Sequence, residues 1–361
     1  MNRLRGLLTS KDNKVFMSIT AMIMAILVSG AFIGISGYSP IEALKAIILG
    51  AFDGKAAIAR TLTQATPLIL SGLAFAIAGK ANMINLGVEG QLYLGALGAA
   101  YIATTVQGIP STLVILLAIG AGMAIGGFYA GIVGFMKVKF GSNEVIATIM
   151  LNSIAVLIAN YLVSFPLKAE GSVIGQTEMI GDQLRLIKLV PKSQLTVAFI
   201  IAVLACFIAK YVIDNTILGY EIKVVGLNKR AANTAGINVG RTVMTSMFLS
   251  GAVAGLAGAV HVLGVDGRFI VDFSPGYGFS GIAVSALAAG SPIGVLFSGL
   301  VFGVIRAGSM ILDLKTDIPL TYADIVQALV IIFVATPLLI KEILSLPSKV
   351  KKCFKEGGHH K

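Results

Sequence analysis

The chain has 361 residues, 56% of them hydrophobic and 12% charged, with a formal net charge of +11 and a mean hydropathy of +0.90. Soluble domains carry about 25% charged residues, so a soluble globular fold is excluded. A β-barrel is excluded too, because its strands alternate polar and apolar residues with a period of two, whereas here long apolar runs recur along the whole chain.

The N-terminal stretch "MNRLRGLLTSKDNK" is basic, and the apolar run after it lacks a small-residue cleavage site at signal-peptide distance. It reads as a retained first helix. Together the apolar runs predict an all-α polytopic membrane protein of about ten spans. These fall at roughly 15–36, 58–78, 87–106, 112–135, 143–165, 194–213, 242–263, 279–291, 293–312 and 323–343. The eighth is too short for an ordinary span and is expected to begin in an unwound stretch. The division is a basic N-terminus over 1–14, a membrane domain over 15–343 and a basic tail over 344–361. With the N-terminus inside, the inner segments hold 18 Lys and Arg and the outer segments nine, and Arg306 lies within a span. That bias satisfies the positive-inside rule and puts both termini in the cytoplasm. The basic excess then faces an anionic lipid leaflet, and no nucleic-acid partner is required.

Between the second and third spans stands "GKANMINLGVEGQ", Gly79 to Gln91. Its glycines allow a helix to break, and Asn82 and Asn85 are able to cap freed backbone groups. Two readings stay open. In one the stretch lines a transport path, because irregular backbone at membrane depth survives only beside protein or a water-filled cavity. In the other it is an ordinary cytoplasmic turn, with Glu89 in the first turn of the next helix, where the macrodipole favours an acid. Farther on, "GSNEVIATIMLN" opens the fifth span with Ser142 as N-cap and Glu144 in the first turn. Asn152 lies deep in that helix, where an amide usually bonds to another helix; substrate contact is the alternative.

Two connections are long: 166–193 outside and 214–241 inside, and loops of that length in compact proteins are usually functional. An internal echo joins "LSGLAFAIAGKANMINLGVEGQ" from Leu70 to "LSGAVAGLAGAVHVLGVDGR" from Leu249, aligning Glu89 with Asp266. The two copies run in opposite directions, the pattern of inverted repeats in transporters; chance likeness of Gly/Ala-rich helices is the alternative. Arg306 is expected to have a structural partner, a carboxyl or a carbonyl. Cys206 and Cys353 imply no disulfide framework, and the three histidines (His261, His359 and His360) form no convincing metal site. No phosphate loop is present, since Gly54-Lys55 and Gly79-Lys80 are each followed by Ala.

Four strings at this order and spacing carry a resemblance: "GKANMINLGVEGQLYLGAL", "GSNEVIATIMLN", "GYEIKVVGLNKRAANTAGINVGR" and "LSGAVAGLAGAVHVLG". The chain resembles the membrane permease of bacterial ABC importers of the branched-chain amino acid and simple-sugar permease group, and within it the nucleoside type. The resemblance implies a type II importer fold of two inverted halves in the bacterial cell membrane, with no catalytic residue in this chain. It implies a partner ATPase holding the ATP and Mg, a second related permease and a substrate-binding lipoprotein docked on 166–193. The coupling helix would lie within Gly219–Arg241 and use Glu221, Asn228, Lys229, Arg230, Ala231, Ala232 and Gly236. Candidate path residues are Asn82, Asn85, Glu89, Gln91, Asn152 and Asp266, with Phe75, Tyr93 and Tyr101 as aromatic candidates for base stacking. The chain departs from the family's Arg-Ala-Gly at Lys80-Ala81-Asn82, which bears on substrate and leaves the fold untouched. The alternatives are a simple-sugar importer and a stand-alone ion-coupled carrier using Glu89 and Asp266.

Overall fold

The structure, a computed structural model, describes residues 14–315 and, beyond them, 325, 328, 329 and 332. The predicted span 323–343 lies largely outside the described residues, as do the basic ends 1–13 and 344–361. The described chain is helical: α1 Lys14–Ile35, α2 Pro40–Phe52, α3 Gly54–Lys80, α4 Val88–Thr105, α5 Ser111–Phe140, α6 Glu144–Ser164, α7 Ala198–Asn215, α8 Ile217–Leu227, α9 Lys229–Thr234, α10 Val239–His261, α11 Tyr277–Leu287 and α12 Pro292–Lys315. Six helices among the described residues are long and apolar enough to cross a membrane, and 23–35 and 277–287 are shorter apolar helices. The protein is a multi-pass all-α membrane protein.

Two elements add to the sequence reading. Helix α2 falls in a connection that the hydropathy left as a link. Pro40 stands at its first turn and Ser39 caps it by accepting from Glu42 N at 3.3 Å. It buries Ala43, Ala46 and Gly50 and exposes Ile41, Leu44 and Ile48, a face suited to lipid. At the start of α6 the cap is Asn143, not Ser142: Asn143 Oδ1 accepts from Val145 N at 2.9 Å, while the Ser142 hydroxyl donates to Met136 O. Gly141 closes α5 in the left-handed conformation, and that turn aims Ser142 backwards.

The packing is an exchange between halves. Helix α10 lies on α4 and α5, while α3 lies on α11 and α12, and α3 and α10 meet each other. Pairing α3 with α10, α4 with α11 and α5 with α12 relates the two sets, and paired helices run in opposite directions, as in inverted repeats. Lipid supplies no hydrophobic drive between helices, so close approach of small residues holds them. Gly255 shows why: any Cβ there would fall on the carbonyl of Gly122, beside Gly126.

Each half breaks its helices once. After α3 the chain runs unwound to Val88, with Asn82 in the left-handed region at φ 53°. In the second half α10 continues as a π-turn over Val262–Asp266 and stops at left-handed Gly267. The non-helical stretch 267–276 then leads into α11, whose 11 residues rise about 16 Å. This is the unwound opening expected for the eighth span.

Candidate functional site

The two breaks meet in the buried interior of the helix bundle, where Glu89 and Asn85 are 4% and 0% exposed. Gly90 N donates to Asn152 Oδ1 at 2.5 Å, and Asn152 lies about 12 Å along α6 from its first turn. The N-terminus of α4 therefore packs about two turns beyond the start of α6. The N-terminus of α11 arrives beside it: Gly278 N donates to the Glu89 carboxylate, which is only 4% exposed. A carboxylate between two helix N-termini sits where both macrodipoles favour negative charge. It also ties the first half to the second.

The polar residues of the first break are satisfied mostly by one another. Asn85 Nδ2 donates to Gln91 Oε1 and to Ser250 Oγ, each at 2.9 Å, and Gln91 Nε2 returns a bond to Asn85 Oδ1 at 3.0 Å. Asn85 Oδ1 also accepts from Gly87 N at 3.1 Å, and Ser250 Oγ donates to Ala74 O of α3 at 2.7 Å. A buried network of this kind is stabilising because every member is paired. Asn82 is exposed at the end of α3. Asp266 stands apart, at the end of the π-turn, with Oδ2 3.6 Å from His261 Nε2. The echo therefore places the same letters at different positions in the fold: Leu-Gly-Val-Glu-Gly opens α4 and Leu-Gly-Val-Asp-Gly closes α10.

Around Glu89 the structure assembles residues that the sequence did not bring together. Rings of Tyr93, Phe269, Phe273, His261 and Tyr277 cluster, with Tyr93 and Phe273 at 4.8 Å and His261 and Tyr277 at 5.2 Å between centroids. Tyr277 Oη donates to Gln64 Oε1 at 2.9 Å. Arg306 covers the Tyr277 ring at 4.8 Å and donates to Pro275 O at 3.0 Å, so its partner is a carbonyl and a ring. Of the aromatic candidates, Tyr93 belongs to this cluster, Phe75 is buried beside Val88 and Ala254, and Tyr101 is exposed. A signal was present in "FIVDFSPGY", where Phe269, Phe273 and Tyr277 stand four residues apart.

The connection 166–193 is tied to the second break by backbone. Thr177 N donates to Phe269 O, Ile180 N to Gly267 O and Val271 N to Gly175 O, all within 2.8–2.9 Å. On the opposite face, α8 and α9 cover the end of α3. Gly226 packs its Cα on the Lys80 carbonyl, where a side chain has no room. Asn228 caps α9 by accepting from Arg230 N and Ala231 N at 2.9 and 3.1 Å. Ala232 is fully buried and belongs to the cluster of Ala78, Ala81 and Met83 at the first break. Lys229, Arg230, Ala231 and Gly236 are exposed and Glu221 half-buried. Gly236 has φ +80° with nothing near its Cβ position.

Comparison with known proteins agrees with this architecture. The family model described as "Branched-chain amino acid transport system / permease component" matches residues 57–335. A guanosine ABC transporter permease protein, NupP, of Bacillus subtilis is 35% identical over 92% of this chain and 95% of its own. A nucleoside ABC transporter permease protein, NupB, of Lactococcus lactis is 32% identical over 95% and 97%. A glucose ABC transporter permease protein, TsgB13, of Haloferax volcanii is 31% identical over 88% and 86%. No solved structure matches the chain. With two inverted halves, two broken helices meeting at a buried carboxylate, and this likeness over nearly the whole chain, the protein belongs to the family of branched-chain amino acid transport system permease components.

Proposed function

We propose that the chain is a permease subunit of an ATP-driven importer of nucleosides in a bacterial cell membrane. The observation that carries this is the near-full-length similarity to permeases named for guanosine and nucleosides. ATP and Mg act on a separate ATPase, a second related permease completes the path, and a binding lipoprotein delivers the solute on the face of 166–193. Two nucleoside ABC transporter permease proteins of one organism, Lactococcus lactis, NupB and NupC, are both similar to this chain, the second at 26% identity, which supports the second permease.

The exposed surface of α9 receives the ATPase. Lys229 and Arg230 offer charge to acids there, while Ala231 and Gly236 let the helix seat closely. Movement of α9 passes through Gly226 and Ala232 to the end of α3 and the first break. The two halves then rock around Glu89, which gives alternating access. Both termini are cytoplasmic in this reading.

A second reading, a simple-sugar importer, is favoured by the glucose permease relative. The test is to tag the chain, extract it gently, identify what accompanies it and measure what the lipoprotein binds. An ATPase, a second permease and a nucleoside-binding lipoprotein support the proposal. A sugar-binding lipoprotein supports the second reading, and a stable carrier active alone overturns both.

A further inference from the structure

We infer that the buried cluster of rings and polar groups between α3 and the second break is where the path recognises the base of its solute. Six residues form it: Gln64, Ser71, Tyr93, His261, Phe273 and Tyr277. Both halves contribute. Gln64 and Ser71 lie two turns apart on α3 and Tyr93 is on α4. His261 ends α10, and Phe273 and Tyr277 flank the unwound entry to α11.

An ordinary apolar core explains the rings but not their polar rim. Buried donors and acceptors in native proteins are nearly always well paired. Here several are paired poorly. Ser71 Oγ is fully buried and has no hydrogen-bond partner among the described residues. Its counterpart in the echo, Ser250, both donates to Ala74 O and accepts from Asn85. Gln64 is 8% exposed, and its amide nitrogen reaches only the Met310 sulfur, at 3.7 Å. Tyr93 Oη meets Ser274 O at the limit of bonding, 3.5 Å. His261 Nε2 stands 3.6 Å from Asp266, beyond hydrogen-bond reach.

These atoms have unspent hydrogen-bonding capacity, and they border rings packed edge to face, with Tyr93 and Phe273 inclined at 64° and His261 and Tyr277 at 61°. Pro67, between Gln64 and Ser71, has no N–H for the helical bond to residue 63, and Gly281 of α11 packs its backbone directly on Ser71.

A planar, uncharged heterocycle fits this chemistry. Its faces slide between rings, and its edge exchanges hydrogen bonds with the Gln64 amide and with hydroxyls. Base stacking on aromatic side chains is a general device that tolerates any base, so the edge contacts set preference among bases. A chair-shaped sugar offers no such pair of flat faces. The inference rests on the nucleoside reading above.

The test uses the whole importer in proteoliposomes, with its partner permease, ATPase and lipoprotein. An azidopurine nucleoside is photoactivated during turnover and the labelled peptides of this chain are mapped. Label on peptides holding Tyr93, Phe273 or Tyr277, competed by unlabelled nucleoside, is expected. Label confined to other peptides overturns the inference. Uptake of a purine and a pyrimidine nucleoside is then compared in Gln64→Leu, Gln64→Asn and Tyr93→Phe. Losing a buried hydrogen bond should change the purine-to-pyrimidine ratio by about fivefold in Gln64→Leu, with partial recovery in Gln64→Asn. A purely structural role lowers both uptakes together, so an unchanged ratio in all three variants also overturns it. If the unmodified importer takes up sugar and no nucleoside, the functional reading falls instead.

Discussion

Asn85 illustrates how a single residue reads differently in sequence and in space. In the sequence it is a polar residue in a glycine-rich break, open to a path role or a turn role. In the structure it is fully buried and bonded to Gln91, Ser250 and Gly87. Replacing it by Ala strands the Gln91 amide and the Gly87 N–H, while Ser250 keeps its bond to Ala74 O; each stranded group is worth about 1–3 kcal/mol when left unpaired in a buried site. Asn85→Ala should therefore lower the thermal midpoint of the detergent-solubilised protein by several degrees, and Gln91→Ala should do the same. Because they share one network, the double variant should fall short of the sum; full additivity would show that the network is not cooperative. Cys placed at Asn85 should be protected from a polar thiol reagent in this conformation and become reactive only during turnover, if the break opens. Glu89 makes a separable prediction. Glu89→Gln keeps an oxygen for Gly278 N and should retain more uptake than Glu89→Ala, which leaves the α11 terminus uncapped.

At the scale of elements, the proposed coupling rests on the breaks and on α9. Gly236 sits at φ +80° with open space around it. Gly236→Ala should pay only the left-handed penalty, about 1 kcal/mol, and keep part of its uptake. Gly236→Glu adds a charge and bulk on the surface proposed to receive the ATPase and should abolish uptake while the protein stays in the membrane. Normal uptake by Gly236→Glu would remove the coupling role from this loop. Gly226→Val tests the seat beneath, because its side chain has no room against the Lys80 carbonyl. It should uncouple ATP hydrolysis from uptake, measured as hydrolysis that no longer responds to loaded lipoprotein. The helices themselves were largely legible, since apolar length marks a span and a run of Gly, Asn and Pro marks a break. Helix α2 was not legible, because its 13 residues are too few to register as a span. Nor was the meeting of the breaks: Gly278 and Glu89 bond across 189 positions, and only the exchange of helices between halves makes them neighbours. The echo misled at one point, equating Glu89 with Asp266, because it compares letters and not positions along a broken helix.

For the whole molecule, the inverted arrangement places one carboxylate, Glu89, between two helix termini and links each face to it by a different route. From one face the path runs through 175–180 to the stretch 267–271; from the other it runs through α9 and Gly226 to the end of α3. In the proposed function these two routes carry the response to the ATPase on one side and to the lipoprotein on the other. The most direct test is uptake of labelled guanosine by proteoliposomes holding the chain with its co-purified partners, with ionophores present to dissipate every ion gradient. ATP-dependent uptake that persists without gradients, and stops when ATP is withheld, is the predicted result. Uptake that collapses with the gradients while ATP remains would contradict it.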